Sequence, residues 1–171
     1  TFVQLVLSVE TTAIFSPEAF LEIFTPCNSA GDKRFLDVLE VENLIWDTFK
    51  RFNEFESFKK QLYNRKVSIY WMRFSQIKEE FKELFFNGMK ENLKNINNSE
   101  YEEDFLDNLS HRNKEIYKNV LKSKTPIELE LSMENYKLKE ENKKLKKQNK
   151  KILNSNSWKI TKPLRSIKHK I

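Results

Sequence analysis

Apolar residues along this chain recur at intervals of three and four, the spacing that brings side chains onto one face of an α-helix. The pattern strengthens from Lys33. Phe35, Val38, Leu39, Ile45, Trp46, Phe49 and Phe52 make a first stripe. Val67, Tyr70, Phe74, Ile77, Phe81, Leu84, Phe85, Met89, Leu93 and Ile96 make a second, with Lys78, Glu79, Lys82, Glu83 and Lys90 mostly between them. Both stripes predict helix faces packed into a core. Ser99-Glu100-Tyr101-Glu102 reads as a capping box, in which hydroxyl and carboxylate each satisfy a backbone amide at the helix start. The helix it opens carries Phe105, Leu106, Leu109, Ile116, Tyr117 and Val120. Ahead of Lys33 the signals are weaker. Phe2, Leu5, Val6 and Val9 suit a helix or a strand, Ser16-Pro17-Glu18 opens a short helix that ends before Pro26, and residues 27–32 form a loop.

The period then changes. Thr125-Pro126-Ile127-Glu128 is a second capping box, with Pro at the first helical position. Beyond it Leu131, Leu138, Leu145 and Ile152 recur every seven residues, with Asn135, Asn142 and Asn149 midway between them. A sustained seven-residue repeat is the mark of a left-handed coiled coil, with the Leu/Ile set at d and the Asn set at a. Asn at a is costly to bury unless it meets another Asn, which favours a parallel, in-register pair. Glu134 and Glu141 at g would face Lys139 and Lys146 at e of a parallel partner, and both contacts attract. Three Asn layers make such a homodimer weak. The other reading of the same stripe is a single helix whose leucines pack on its own body.

Net charge sharpens the division. The chain of 171 residues carries +6 overall, but residues 143–171 hold eleven Lys/Arg and no acid, whereas residues 1–142 carry 20 basic and 25 acidic groups. A basic tail on an acidic body calls for an anionic partner. Asn154-Ser155-Asn156-Ser157 breaks the heptads, and the tail that follows mixes Trp158, Ile160, Leu164 and Ile167 with Lys159, Lys162, Arg165 and Lys168. An indole and short aliphatics beside cations suit the headgroup level of an anionic membrane surface. Each cation there is worth about 1 kcal/mol. Nucleic acid would attract the same charges by counterion release, and a solvated terminus is the bland alternative.

Little in the chain offers chemistry. Two glycines and four prolines disfavour hairpin-rich sheets, while 14 Phe, 5 Tyr and 3 Trp are enough for a core. The lone Cys27 excludes an internal disulfide framework and a multi-cysteine zinc site. His111 and His169 lack ligand partners at motif spacing, and His111 reads as a surface helical residue. Glu79-Glu80-Glu83 and Glu102-Glu103-Asp104 lie among lysines, where solvated ion pairs are expected. No residue is expected to be catalytic, cofactor-binding or metal-binding, and no cofactor is expected. No apolar run reaches spanning length. The start at Thr1, without a leader-like segment, reads as that of a piece of a longer protein.

The string Leu153-Asn154-Ser155-Asn156-Ser157-Trp158-Lys159-Ile160-Thr161-Lys162-Pro163-Leu164-Arg165 resembles a tail found behind Lys/Glu/Asn-rich coiled coils in family-2-like glycosyltransferases of bacterial and archaeal cell-surface polysaccharide synthesis. The resemblance covers residues 129–165. The stretch around Tyr63–Phe85 is more loosely similar to the helical region that follows the catalytic domain in some of these enzymes, and residues 1–62 match no part of them. The family's Asp-x-Asp, which holds the metal and the nucleotide-sugar diphosphate, has no counterpart here, so no catalytic residue carries over. The resemblance implies that glycosyl transfer itself belongs to a separate catalytic domain.

The expectation is therefore an all-α chain: a helical bundle followed by a long coiled-coil helix and a short basic amphipathic tail. Residues 1–122 form a helical accessory domain, 125–153 the coiled coil and 154–171 the tail. By the resemblance, the function is that of a non-catalytic accessory region of a glycosyltransferase, serving weak parallel homodimerisation and placement on the inner, cytoplasmic face of the cell membrane. The alternative is a non-enzymatic coiled-coil scaffold whose tail binds membrane or nucleic acid.

Overall fold

The computed structural model of the chain describes residues 36–97 and 102–155, which form six α-helices and no strand. The expected elements within residues 1–35, the Ser99 end of the first capping box and the tail from Asn156 onward lie outside the described residues.

Helix α1 (Asp37–Arg51) opens on acidic Asp37 and Glu40 and closes on Lys50 and Arg51, each sign set against the helix dipole. Its stripe buries Val38, Leu39, Ile45 and Phe49. Phe52, expected on that stripe, instead falls past the last turn and is exposed. Asn53 takes a left-handed φ of 58°, which Asn tolerates, and the amides of Asn53 and Glu54 close on the carbonyls of Lys50 and Phe49 at 3.0 and 2.9 Å.

Helix α2 (Phe55–Gln76) is the centre of the fold and touches α1 and three later helices. It starts twelve residues earlier than the stripe from Val67 indicates, burying Leu62 and Tyr63 as well as Val67, Tyr70 and Phe74. The long second stripe is not one face. Ile77 turns extended (ψ 145°) with its side chain buried, and α3 (Glu79–Asn97) begins after it, so the stripe is shared between two helices. Phe85, Phe86, Met89, Leu93 and Ile96 are buried on α3, whereas Leu84, expected in the core, is exposed. Gly88 leaves room for the Leu39 side chain of α1, since a Cβ there would lie 2.5 Å from Leu39 Cδ1.

The helix expected after Ser99 is likewise two. α4 (Glu102–Asn108) stops at Leu109, and α5 (His111–Lys122) is capped by Ser110, whose hydroxyl accepts from the Asn113 amide at 3.3 Å. Asn64 of α2 serves both ends of this break. Its Nδ2 donates to the Asn108 carbonyl at 2.8 Å, and its Oδ1 accepts the Ser110 backbone amide at 2.8 Å and the side-chain Nδ2 of buried Asn113 at 2.9 Å. Backbone groups that a helix break leaves orphaned are thus satisfied from a neighbouring helix. In the acidic clusters Asp104 meets Lys59 at 3.0 Å and Glu79 meets Lys82 at 2.9 Å, with Lys82 mostly shielded from solvent and shared with Glu130 at 2.7 Å.

Helix α6 (Pro126–Asn154) runs 29 residues, about 43 Å at 1.5 Å per residue. Thr125 Oγ1 accepts the Glu128 amide at 3.2 Å, while the Glu128 carboxylate reaches one residue further back than a reciprocal box requires, to the Lys124 amide at 2.7 Å. Leu129 and Met133 are buried and Tyr136 packs against the same core, so the first three turns lie on α3 and α5. His111 is exposed, as expected, and its Nδ1 lies 3.0 Å from the Tyr136 hydroxyl. Residues 141–155 are exposed throughout.

Candidate functional site

Two places stand out, one expected and one not. The expected one is the heptad stripe of α6. Leu131, Leu138, Leu145 and Ile152 are 48–55 % exposed, and Asn135, Asn142 and Asn149 are exposed beside them. A helix turns about 100° per residue, which puts this stripe on the side opposite Leu129, Met133 and Tyr136. The reading in which these leucines pack on their own body is therefore corrected: the body is held by b and f positions, not by a and d. Asn142 Nδ2 donates to the Leu138 carbonyl at 3.0 Å within its own helix. Glu134, Glu141, Lys139 and Lys146 are all exposed on the flanks of the stripe. Lys143, Lys144, Lys147, Lys150 and Lys151 occupy b, c and f positions, continuing as cations the face that carries Met133 and Tyr136 further up. The expected membrane residues Trp158, Lys159, Ile160, Lys162, Leu164, Arg165, Ile167 and Lys168 lie outside the described residues.

The unexpected place is a cleft of about 750 Å³ between α1, α2, α3 and α4. Trp46, Phe55, Tyr63 and Phe105 form its aromatic wall. Their rings meet edge-on or tilted, with Trp46 centroids 5.6, 5.2 and 6.1 Å from those of Phe55, Tyr63 and Phe105. Asn53, Asn92 and Asn95 supply amides to the rim.

Lys66 also lines the cleft. It is 2 % exposed, and its ammonium lies 4.1 Å from the Trp46 ring centroid. It donates to Asn43 Oδ1; Asn43 Nδ2 donates to Asn92 Oδ1 at 2.8 Å, and Asn92 Nδ2 to the Gly88 carbonyl at 3.0 Å. The relay ends on a backbone acceptor, so it has one direction and holds the Asn43 oxygen towards Lys66. Glu42, equally buried, stands 3.2 Å from the Arg65 guanidinium. Burial drives the Lys66 amine down to about 8, against the opposing pull of Glu42 and Asp47. Burial raises the Glu42 carboxyl above its ordinary range in spite of Arg65 and Lys66. The Trp46 indole Nε1 is buried with no acceptor among the described residues.

The apolar period places Trp46 on a core stripe and gives Lys66 no role. A lysine at the right period on a central helix is the signal that could have found it, because such a position buries whatever occupies it.

Among the described residues there is no cluster of His, Cys, Asp and Glu able to hold a metal, and no helix long and apolar enough to cross a membrane. No family model, curated protein or solved structure matches the chain.

Proposed function

We propose that the chain is a non-catalytic helical accessory region that pairs with a second copy of itself through α6 and serves a glycosyltransferase of cell-surface polysaccharide synthesis. The observation that carries the pairing is the position of the heptad stripe, exposed along its length on the side of α6 away from the body. A second copy can cover it without displacing a body contact. The occupant is argued from charge: Glu134 and Glu141 at g meet Lys139 and Lys146 at e only when the partner is a parallel copy in register. The link to glycosyl transfer rests on the resemblance of residues 129–165, and the tail's Trp158 and cations would set the pair on an anionic membrane surface.

Sedimentation tests the pairing. A concentration-dependent monomer–dimer equilibrium is expected, weak because three Asn layers interrupt the apolar seam. Replacing Asn142 by Ile should tighten association and loosen the restriction to two strands. A chain that stays monomeric at high micromolar concentration, with and without that change, removes the pairing. Trp fluorescence with anionic and neutral vesicles tests the tail. A blue shift with anionic vesicles alone supports membrane placement; no shift, together with tight RNA binding, supports the scaffold alternative.

A further inference from the structure

On a solvated helix, charges of both signs usually intersperse, because pairs of opposite sign three or four residues apart stabilise it. The proximal part of α6 follows that rule and the distal part abandons it. Residues 126–142 carry two Lys and five Glu, whereas residues 143–154 carry six Lys and no acid. Lys143 reaches back to Glu140 at 2.6 Å, and Lys146 is the e cation that Glu141 of a second copy would meet. Lys144, Lys147, Lys150 and Lys151 form no ion pair among the described residues, and all four are exposed. They spread over about 120° of the helix surface, on the side away from the seam. In a parallel pair these arcs face outward on two opposite sides, so like charges repel along the whole distal stalk. A uniform run of this kind calls for an anionic partner.

The shape of that partner follows from where the cations and the body sit. A linear polyanion could lie along one outer side of the pair only, and would leave the cations of the other side unmatched. A flat surface laid along either side would meet the body first. Leu129, Met133 and Tyr136 attach the body to that same side, and α5 alone adds about 10 Å. A flat surface across the end of the stalk meets the cations of both copies at equal height. The order of charges along α6 fits this last arrangement. Lys151, Lys150, Lys147 and Lys144 stand about 5, 6, 11 and 15 Å from the Asn154 end, and Glu141, the last acid, about 20 Å. The attraction of an anionic leaflet falls off over a Debye length, about 8 Å at physiological ionic strength. Glu141 therefore stands more than about two such lengths away, where its repulsion is screened. We propose that the α6 pair stands end-on against an anionic lipid leaflet, Lys150 and Lys151 nearest it, and holds the body off the membrane. Tyr136, which packs on the core, then lies about 27 Å above that foot. This orientation rests on the pairing and the membrane placement proposed above.

Partition of the full chain onto phosphatidylcholine vesicles, with and without phosphatidylserine, tests this at physiological ionic strength. Two double variants remove equal charge at different heights: Lys150→Gln with Lys151→Gln, and Lys144→Gln with Lys147→Gln. All four positions are exposed, so folding is left intact. For each chain bound, the first variant should weaken binding to phosphatidylserine vesicles about sixfold and the second about twofold, since a cation contributes less with height. Equal losses from the two variants mean that the stalk lies along its partner, and overturn the end-on orientation. Displacement from the vesicles by RNA of equal total charge overturns the choice of a lipid partner. The readings beneath fail with other signatures. Absence of vesicle binding removes the membrane placement, and a chain monomeric in sedimentation removes the pairing; either takes the orientation with it. With both intact, the gradient between the two variants decides.

Discussion

The body and the distal half of α6 are both helical and both carry regular apolar residues, yet they treat them in opposite ways. In the body a phenylalanine such as Phe105 is fully enclosed, with ring centroids of Tyr63 and Tyr117 at 4.8 and 5.3 Å. Along α6 the leucines at d stand half in water, flanked by asparagines. The enclosed ring is needed for the chain to fold; the open leucine matters only when a second surface meets it. Equal periodicity therefore carries two meanings, and what separates them is whether neighbouring helices supply the other side of the contact.

The sharpest way to break this comparison is to empty the body. Phe105→Ala should cost about 3–5 kcal/mol of stability, measured by urea unfolding, because the rings around it cannot collapse into the space.

Lys66→Met comes next, and its effect depends on pH. The amine titrates near 8 in the folded chain and near 10.5 unfolded. Between those values the unfolded chain binds more protons, so stability rises with pH across that window. Below pH 8 the buried charge is present and its full cost of about 3 kcal/mol applies. Wild-type stability should thus climb from pH 8 towards pH 10, and Lys66→Met should lack the climb. Above pH 10 the slope should reverse. Burial raises the Tyr70 hydroxyl well beyond its usual range and that of Tyr117 to about 12, so the unfolded chain loses phenolic protons that the folded one keeps. Unfolding curves over this range, with no climb in the wild type, would contradict the assignment.

Thr125→Ala should cost about 1 kcal/mol, by removing the hydroxyl that accepts the Glu128 amide where α6 leaves the body. The smallest effect on folding belongs to the stripe. Leu138→Ala with Leu145→Ala should change monomer stability by less than about 0.5 kcal/mol, measured at dilution, while reducing association in sedimentation. A large loss of monomer stability would mean that the stripe is held by the body after all.

What was legible in the sequence follows the same division. The start of α6 was readable from Thr125, Pro126 and Glu128, and its long run from the heptads, because local signals there meet no competition. Helix α2 was only half readable. It is enclosed by several neighbours, and the positions it buries include Lys66 and Arg73 among the apolar ones, so no single polar face is left to betray the period. The breaks at Ile77 and Leu109 carry neither Gly nor Pro, and partners from other helices stabilise the second of them, Asn64 above all. Such long-range satisfaction has no local signature, and the cleft beside Lys66 was hidden for the same reason.

The two faces of α6 are also linked in phase. Leu129, Met133 and Tyr136 fix how the helix is rotated about its own axis relative to the body, and Leu131, Leu138 and Leu145 would fix how it is rotated relative to a partner. One residue inserted at Lys137 would leave Leu129, Met133 and Tyr136 in place but turn Leu138, Leu145 and Ile152 against them by about 100°, and would part Leu131 from the rest of the stripe. In a parallel pair the bodies ride on the outside of the stalk, so the angle between whatever two bodies carry is encoded in the count of residues from Tyr136 to Leu138, as the offset between two teeth on one shaft sets the timing of what each drives.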